Sequence, residues 1–354
     1  MTKRILMGVL LSVAAAQAAE VGSLIFYDFT HDATKGVPSG EKTNNGFNLG
    51  RAYLTVTGAP SEAVAFKLQF DVGQLKSYTL KGTSLGQFVD TDGDTLGVDS
   101  YSLSSSDAGY YLYVKNACVD WTNALGKWTF GLQGMNLFNV QEATFGNRFL
   151  EKPLMDLHGF SSSADMGVGF AREFGLVKTS LLYTNGGGYK RAESDKYKKL
   201  SLQVAAGETA LNKKDGWNAG AVFSHEPFKA GAAADVESKT VLGFFGGWAG
   251  SGARLGVEVD GLTTTGATDV KQSILGFYGD YKLPFAPGYA VYGSFDSFDP
   301  NTDVDEDGTT TIIAGFKASP VKGLVIAPNV RTTSYQASGH DADLWYRLNF
   351  EFKI

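Results

Sequence analysis

The sequence predicts an all-β chain, an antiparallel β-barrel that crosses a membrane, and three observations carry that prediction. Apolar and polar residues alternate along many segments of about ten residues, the pattern of a strand with one greasy and one wet face. The connections between those segments are alternately long and short along the chain. The composition, with 44 glycines, 9 prolines, 24 phenylalanines, 16 tyrosines and 5 tryptophans, suits many strands joined by glycine-rich turns. No later run is apolar for the ~20 residues that a membrane helix needs. A barrel conceals its membrane face by alternating, which fits a near-neutral mean hydropathy of -0.10.

The N-terminus reads as a secretory signal peptide: Lys3 and Arg4, an apolar run from Ile5 to Ala16, and an Ala-x-Ala site from Ala16 to Ala18. Residues 1–18 are therefore expected to be removed, leaving 19–354 as one barrel domain. Without Lys3 and Arg4, 29 of the 31 basic residues face 37 acidic ones, a balance of −8. That argues against nucleic acid as a partner. Cys118 is the only cysteine, so an intrachain disulfide framework is excluded.

The first mature segment, Ser23–Phe29, is followed by a polar loop and by Phe47–Thr57, where Leu54 and Val56 oppose Arg51. A tight connection leads to Val64–Gln74. Here Val64, Phe66, Leu68, Phe70 and Val72 alternate with Ala65, Lys67, Gln69, Asp71 and Gly73. A Ser-, Asp- and Gly-rich excursion, 75–109, separates this from Tyr110–Val119. In Lys127–Gly134, Trp128, Phe130 and Leu132 oppose Lys127, Thr129 and Gln133. After a long excursion, 135–164, come Asp165–Arg172 and Leu176–Thr184 around a tight turn. Next are Lys199–Ala206 and Trp217–Ser224, Lys239–Trp248 and Arg254–Gly261, then Lys271–Lys282 and Tyr289–Phe295. Thr310–Ala318 and Leu324–Thr333 precede the last segment, Leu344–Ile354.

Odd-numbered connections are long and polar; even-numbered ones are mostly short. A sandwich or propeller has no reason to sort its loops by parity, whereas outer-membrane barrels have short periplasmic turns, long extracellular loops and an even strand number. The count is about sixteen strands, within roughly 14–18, enough to enclose an aqueous channel instead of a core filled by side chains. The last segment alternates Leu344, Tyr346, Leu348, Phe350, Phe352 and Ile354 with Trp345, Arg347, Asn349, Glu351 and Lys353. It resembles the closing strand by which such barrels engage the insertion machinery, although that signal usually ends in phenylalanine and here ends in Ile354. The localisation expected is the bacterial outer membrane, with its lipid around the barrel.

Three stretches add a family likeness. They are Leu49–Leu54 leading into Val64–Val72, Lys115–Asp120 leading into Trp128–Gln133, and Asn147–Leu154 followed by Phe160–Phe170. Their order and spacing resemble the phosphate-selective porin O/P-like family of Gram-negative outer-membrane porins. The likeness covers mainly the first half. It implies a sixteen-stranded porin, a homotrimer, with its third long loop folded into the lumen.

The function expected is passive diffusion of small hydrophilic solutes or ions through a water-filled channel. The alternative is a non-channel barrel for adhesion or envelope structure. Residues expected to line the pore are Arg51, Lys67, Gln69, Asp71, Lys127, Gln133, Glu258, Asp260, Asn329, Arg331, Arg347, Asn349 and Glu351. Charged rings set ion selectivity, but this list mixes both signs, and the same residues also read as solvated pairs across strands. The excursion 135–164 is too apolar for an exposed loop. It is expected to form a constriction, with Arg148 and Lys152 facing Glu142 or Glu151. Phosphate selectivity would need clustered basic donors, and no such cluster is visible in the sequence.

Two acidic runs, Asp90–Asp94 and Asp303, Asp305 and Asp307 with Glu306, place oxygen ligands at alternate positions, a weak calcium pattern. The second lacks the closing glutamate of an EF-hand loop, Ala314 standing there; otherwise no cofactor or metal is expected. No enzyme is expected either. The four histidines lie in or beside loops, and His158 near Ser161–Ser163 is the sole candidate for nucleophilic chemistry.

Overall fold

The computed structural model describes residues 19–35, 45–89, 95–191, 193, 195–229 and 235–354, with side chains for all of these except 74–89 and 95–108. The expected signal peptide and the acidic run Asp90–Asp94 lie outside the described residues. Among the described residues sixteen strands form one closed antiparallel barrel in sequence order. They are β1 (Glu20–Asp32), β2 (Gly46–Ser61), β3 (Val64–Val89), β4 (Thr95–Asn123), β5 (Gly126–Gly134), β6 (Ala164–Phe174), β7 (Val177–Thr184) and β8 (Lys199–Gly207). The second half comprises β9 (Gly216–Phe228), β10 (Glu237–Gly250), β11 (Ala253–Thr265), β12 (Val270–Lys282), β13 (Tyr289–Asp299), β14 (Thr309–Val321), β15 (Leu324–Tyr335) and β16 (Asp343–Lys353).

The barrel closes through β16 on β1, from Leu24 opposite Lys353 to Asp32 opposite Trp345. Closure leaves no row of unpaired strand amides for lipid to solvate. Ile354 lies just past β16, its N–H donating to the Ser23 carbonyl at 3.0 Å and its carbonyl accepting from the Ser23 N–H at 3.2 Å. The terminal residue therefore completes the seam with its backbone, whatever its side chain.

Alternation has a physical cause on each face. On β11, Leu255, Val257 and Val259 point out, and Arg254, Glu258 and Asp260 point in. A basic residue on the outer face would cost about 2–4 kcal/mol at the bilayer midplane. Near the short-turn end the outer face carries cross-strand tryptophan pairs, Trp121 with Trp128 and Trp217 with Trp248, and Tyr289 stacked on Phe316. That is the aromatic girdle of a membrane barrel, where amphipathic rings sit at the headgroup level.

The structure corrects the reading of 75–109 as an excursion. β3 and β4 go on pairing through Lys76 opposite Asp107 and Thr83 opposite Ser100 to Val89 opposite Thr95, with register shifts along the way. Its sequence, rich in Ser, Thr, Asp and Gly, shows no regular apolar period, yet the backbone pairing continues through it. The loop parity holds in part: 208–215 and 283–288, both at the short-turn end, are longer than 266–269 at the other end.

Candidate functional site: the inward loop and the passage beside it

Residues 135–163 leave β5, cross the barrel interior and return to β6, the neck being tied by the Met135 N–H to the Ser163 carbonyl at 3.2 Å. The segment is partly helical, with α1 (Asn139–Phe145) and α2 (Leu154–Leu157). Gly146 ends α1 in the left-handed conformation at φ 61°, its N–H returning to the Glu142 carbonyl.

Apolar side chains fix the loop to two stretches of wall. Leu137, Phe138, Val140, Leu154, Met155 and Phe160 pack on Ala205, Val222, Val241, Phe245, Leu262 and Ile274 of β8–β12. Farther on, Phe149 and Leu150 pack on Phe26, Tyr53, Tyr292, Ile313 and Ala327. Inward glycines let the helices lie flat. A Cβ on Gly247 would stand 2.6 Å from the Thr144 methyl, one on Gly243 2.7 Å from the Met155 methyl, and one on Gly276 would overlap Leu154.

Polar side chains then satisfy the loop's backbone, as a buried amide requires. The Asn349 amide donates to the Phe149 carbonyl at 3.1 Å, Arg347 to Leu150 O at 3.3 Å and Arg254 to Phe145 O at 3.1 Å. Lys317 donates to the Asn147 side chain at 2.7 Å and Gln203 to Asn136 O at 2.6 Å. Glu151 is ion-paired with Arg331. His158 Nε2 meets Asp296 at 2.7 Å and its ring stacks on Phe298. The serine hydroxyls beside it are spoken for: Ser161 donates to Ser162 O and Ser162 to Ala164 O.

The residues expected to line a pore fall into three groups. Asn329, Arg331, Arg347, Asn349, Glu258 and Asp260 lie against or beneath the loop. Asn329 donates to Asn349 Oδ1 at 2.8 Å, Arg347 also stands 3.6 Å from Asp28, and Glu258 and Asp260 are 1% and 2% exposed. Lys67, Gln69, Lys127, Gln133 and Glu351 border cavities. Arg51 and Asp71 pair at 2.8 Å, with the Tyr113 hydroxyl donating to the same Asp71 oxygen.

Within the loop, Arg148 faces Glu142 at 2.6 Å, as expected, and Asp156 at 3.1 Å. Burial alone would lower its pKa; Glu142, Tyr53 and Asp156 outweigh that and raise it, so the guanidinium stays charged. Glu151 is different. It turns to the wall, taken by Arg331, and Lys152 gains from it only a backbone N–H contact at 3.1 Å. Among the described residues no three His, Cys, Asp or Glu side chains converge on a metal-sized site, and Asp303 instead lies 3.9 Å from Lys271.

What the loop leaves open is a passage along β2–β6. A cavity of about 300 Å³ lies between Asn139, Glu142, Arg148 and Ser163 on the loop side and Tyr53, Lys67, Gln69, Lys115 and Asn116 on the wall. It shares Lys67, Asn116 and Asn139 with a cavity of about 910 Å³ that reaches the turn-end residues Asn123–Lys127. Lys115 and Asn116 escape a reading by alternation because a register shift at Gln69–Phe70 opposes Asn116 to Gln69 and Val114 to Phe70. The extra residue is Lys115, and both it and Asn116 are buried inside the barrel.

No family model and no curated protein matches the chain. Solved structures do. An anion-selective porin from Comamonas acidovorans is 10% identical over 95% of this chain and 99% of its own, with a TM-score of 0.64. The outer-membrane channel DcaP of Acinetobacter baumannii is 13% identical over 95% and 97%, at 0.61. OmpT, an outer membrane protein of Vibrio cholerae solved in a trimer form, is 13% identical over 95% and 99%, at 0.60. At such identities the likeness establishes the sixteen-stranded barrel fold; the narrower resemblance to phosphate-selective porins stays with the sequence stretches that suggested it.

Proposed function

We propose that this protein is an outer-membrane channel through which small hydrophilic solutes diffuse passively, and that residues 135–163 are its constriction. The observation that carries this reading is a loop fastened across the interior that leaves a charged passage open on one side. A purely structural barrel of this girth gains nothing from a loop held by wall side chains while one side stays polar and open. Solved neighbours described as porins and channels support the reading, and the girdle of paired tryptophans supports a membrane setting.

Export through a cleaved signal peptide, insertion through the closing strand and assembly as a homotrimer belong to the same proposal. The test is conductance of the purified chain in planar bilayers, with cross-linking in membranes for the trimer. Stepwise ohmic channels are expected. A protein that inserts and stays silent across a range of voltages would favour an adhesive or structural barrel instead.

A further inference from the structure

We propose that the connection 208–215 is a second inward element, which with α1 forms a partition between the passage and a blind recess under the loop tip. Asn218 is the residue that positions it. The inference rests on the channel reading for its electrical test alone; the packing does not depend on it.

A β-hairpin closes in about two to five residues, and 208–215 is longer than that. Its extra length goes inward. Leu211 is 3% exposed, while residues 212–215 beside it are exposed. Leu211 reaches the spot on which the loop rests: a Cβ on Gly247 would stand 2.6 Å from the Thr144 methyl and 3.0 Å from a Leu211 methyl. The connection also holds its own shape. The Glu208 N–H donates to the Trp217 carbonyl at 2.8 Å, the Ala210 N–H to the Glu208 carboxylate at 2.9 Å and the Lys213 N–H to the Ala210 carbonyl at 2.8 Å.

Asn218, buried on β9, ties the two elements together. Its side-chain amide donates to the Thr144 hydroxyl at 3.1 Å and to the Glu208 carbonyl at 2.9 Å. Thr144 in turn donates to the Val140 carbonyl at 2.9 Å. One wall side chain therefore reaches α1 with one proton and the connection with the other. A buried amide stripped of a partner is costly, and that cost fixes the spacing of the three.

A different hollow lies on each side of the partition. Val140 and Thr209 border the cavity of about 910 Å³ that forms the short-turn end of the passage. Leu211 and Lys213 border another, of about 670 Å³, roofed by Gly146, Asn147 and Phe149 of the loop tip and walled by Glu351. Among the described residues this recess shares no lining residue with either cavity of the passage. The tip above it is sealed by Phe149 and Leu150 packed on the wall. An ion that enters the recess from the short-turn end meets no exit. Glu351, which alternation assigns to the pore, lies off the conduction path.

The experiment uses the mature full-length chain and the thiol reagent methanethiosulfonate ethylsulfonate, with single-channel recording before and after labelling and each adduct verified by mass. Cys118 borders the passage, and labelling it is expected to lower unit conductance. In a Cys118→Ser, Glu351→Cys chain the same adduct is expected to leave conductance unchanged. It is expected to lower conductance once 209–214 are replaced by Gly-Gly in that chain. Ser319→Cys, exposed and also bordering the recess, takes the place of Glu351→Cys if that thiol does not react. A fall in conductance at the recess thiol with 208–215 intact overturns the partition, and so does an unchanged conductance after the replacement. Asn218 is tested by deuterium exchange in detergent, which needs no channel. Asn218→Leu is expected to speed exchange of α1 at least about tenfold and to leave β12 as in the wild type. Thr144→Val should reproduce the effect, and the double variant should exchange no faster than Asn218→Leu, since both remove one bond. Leu211→Ser repeats the measurement if Asn218→Leu does not fold. Unchanged exchange overturns the positioning role. A chain that inserts and never conducts overturns the channel reading, and the exchange result then decides the inward packing by itself.

Discussion

Releasing the tip of the inward loop should open one new trypsin site, after Arg148, that the wild type protects. The tip is docked by Phe149 and Leu150, whose burial contributes about 2–3 kcal/mol each. Four polar contacts add about 1 kcal/mol each: Asn349 to Phe149 O, Arg347 to Leu150 O, Lys317 to Asn147, and Arg331 to Glu151. Docking is then worth roughly 8–10 kcal/mol, so one lost hydrogen bond leaves it in place. The triple variant Phe149→Ala, Arg347→Ala, Asn349→Ala removes the larger ring and two contacts, and leaves the carbonyls of residues 149 and 150 without their side-chain donors. Phe→Ala alone costs about 3–5 kcal/mol in a packed site, and each orphaned group about 1–3 kcal/mol. Most of the docking energy is gone, while the barrel ladder is untouched. Arg148 sits at the tip with its side chain 13% exposed, so trypsin should spare it in the wild type and cleave after it in the variant. The new cut would be read by mass spectrometry as a chain end at Arg148 and a chain start at residue 149. A triple variant with native strand content that stays as resistant as wild type would refute the docking account.

Three more outcomes follow from the same contacts. Gly276→Val should lift α2 from the wall, because its Cβ overlaps Leu154; overpacking of this kind costs about 1–3 kcal/mol and should lower the urea midpoint. Arg51→Gln leaves Asp71, which is 0% exposed, with Tyr113 as its side-chain partner. A loss of about 3 kcal/mol is expected in equilibrium unfolding, the lower end for a broken buried pair. Phe244→Arg places a charge on the outer face of β10 and should reduce insertion into lipid vesicles by about 2–4 kcal/mol, whereas Phe244→Leu should insert normally.

The barrel was legible wherever one face meets lipid and the other does not. Val64–Val72 and Leu344–Ile354 carry their two faces in the sequence, and the loop parity follows from termini and short turns sharing one end. The β3–β4 extension was hidden because its sequence, rich in Ser, Thr, Asp and Gly, has no regular apolar period. The inward fate of 135–163 could be read from Phe138, Phe145, Phe149 and Leu150, residues too apolar for an exposed loop, but its seat could not. That seat depends on glycines at 243, 247 and 276, which resemble ordinary strand glycines until the loop lies over them. Lys115 was missed because one extra residue in β4 breaks the alternation. Glu151 was assigned a partner within its own loop; Arg331, 180 positions away in sequence but adjacent in space, competes for it successfully.

The central claim is a channel whose width is set by a loop fastened inside a sixteen-stranded barrel. Single-channel recording of the wild type beside a deletion of Phe145–Pro153, which removes the tip and its contacts to β1 and β13–β16, tests it most directly. The account predicts discrete channels in both and a larger unit conductance in the deletion. Equal conductance, or none in the wild type, would contradict it.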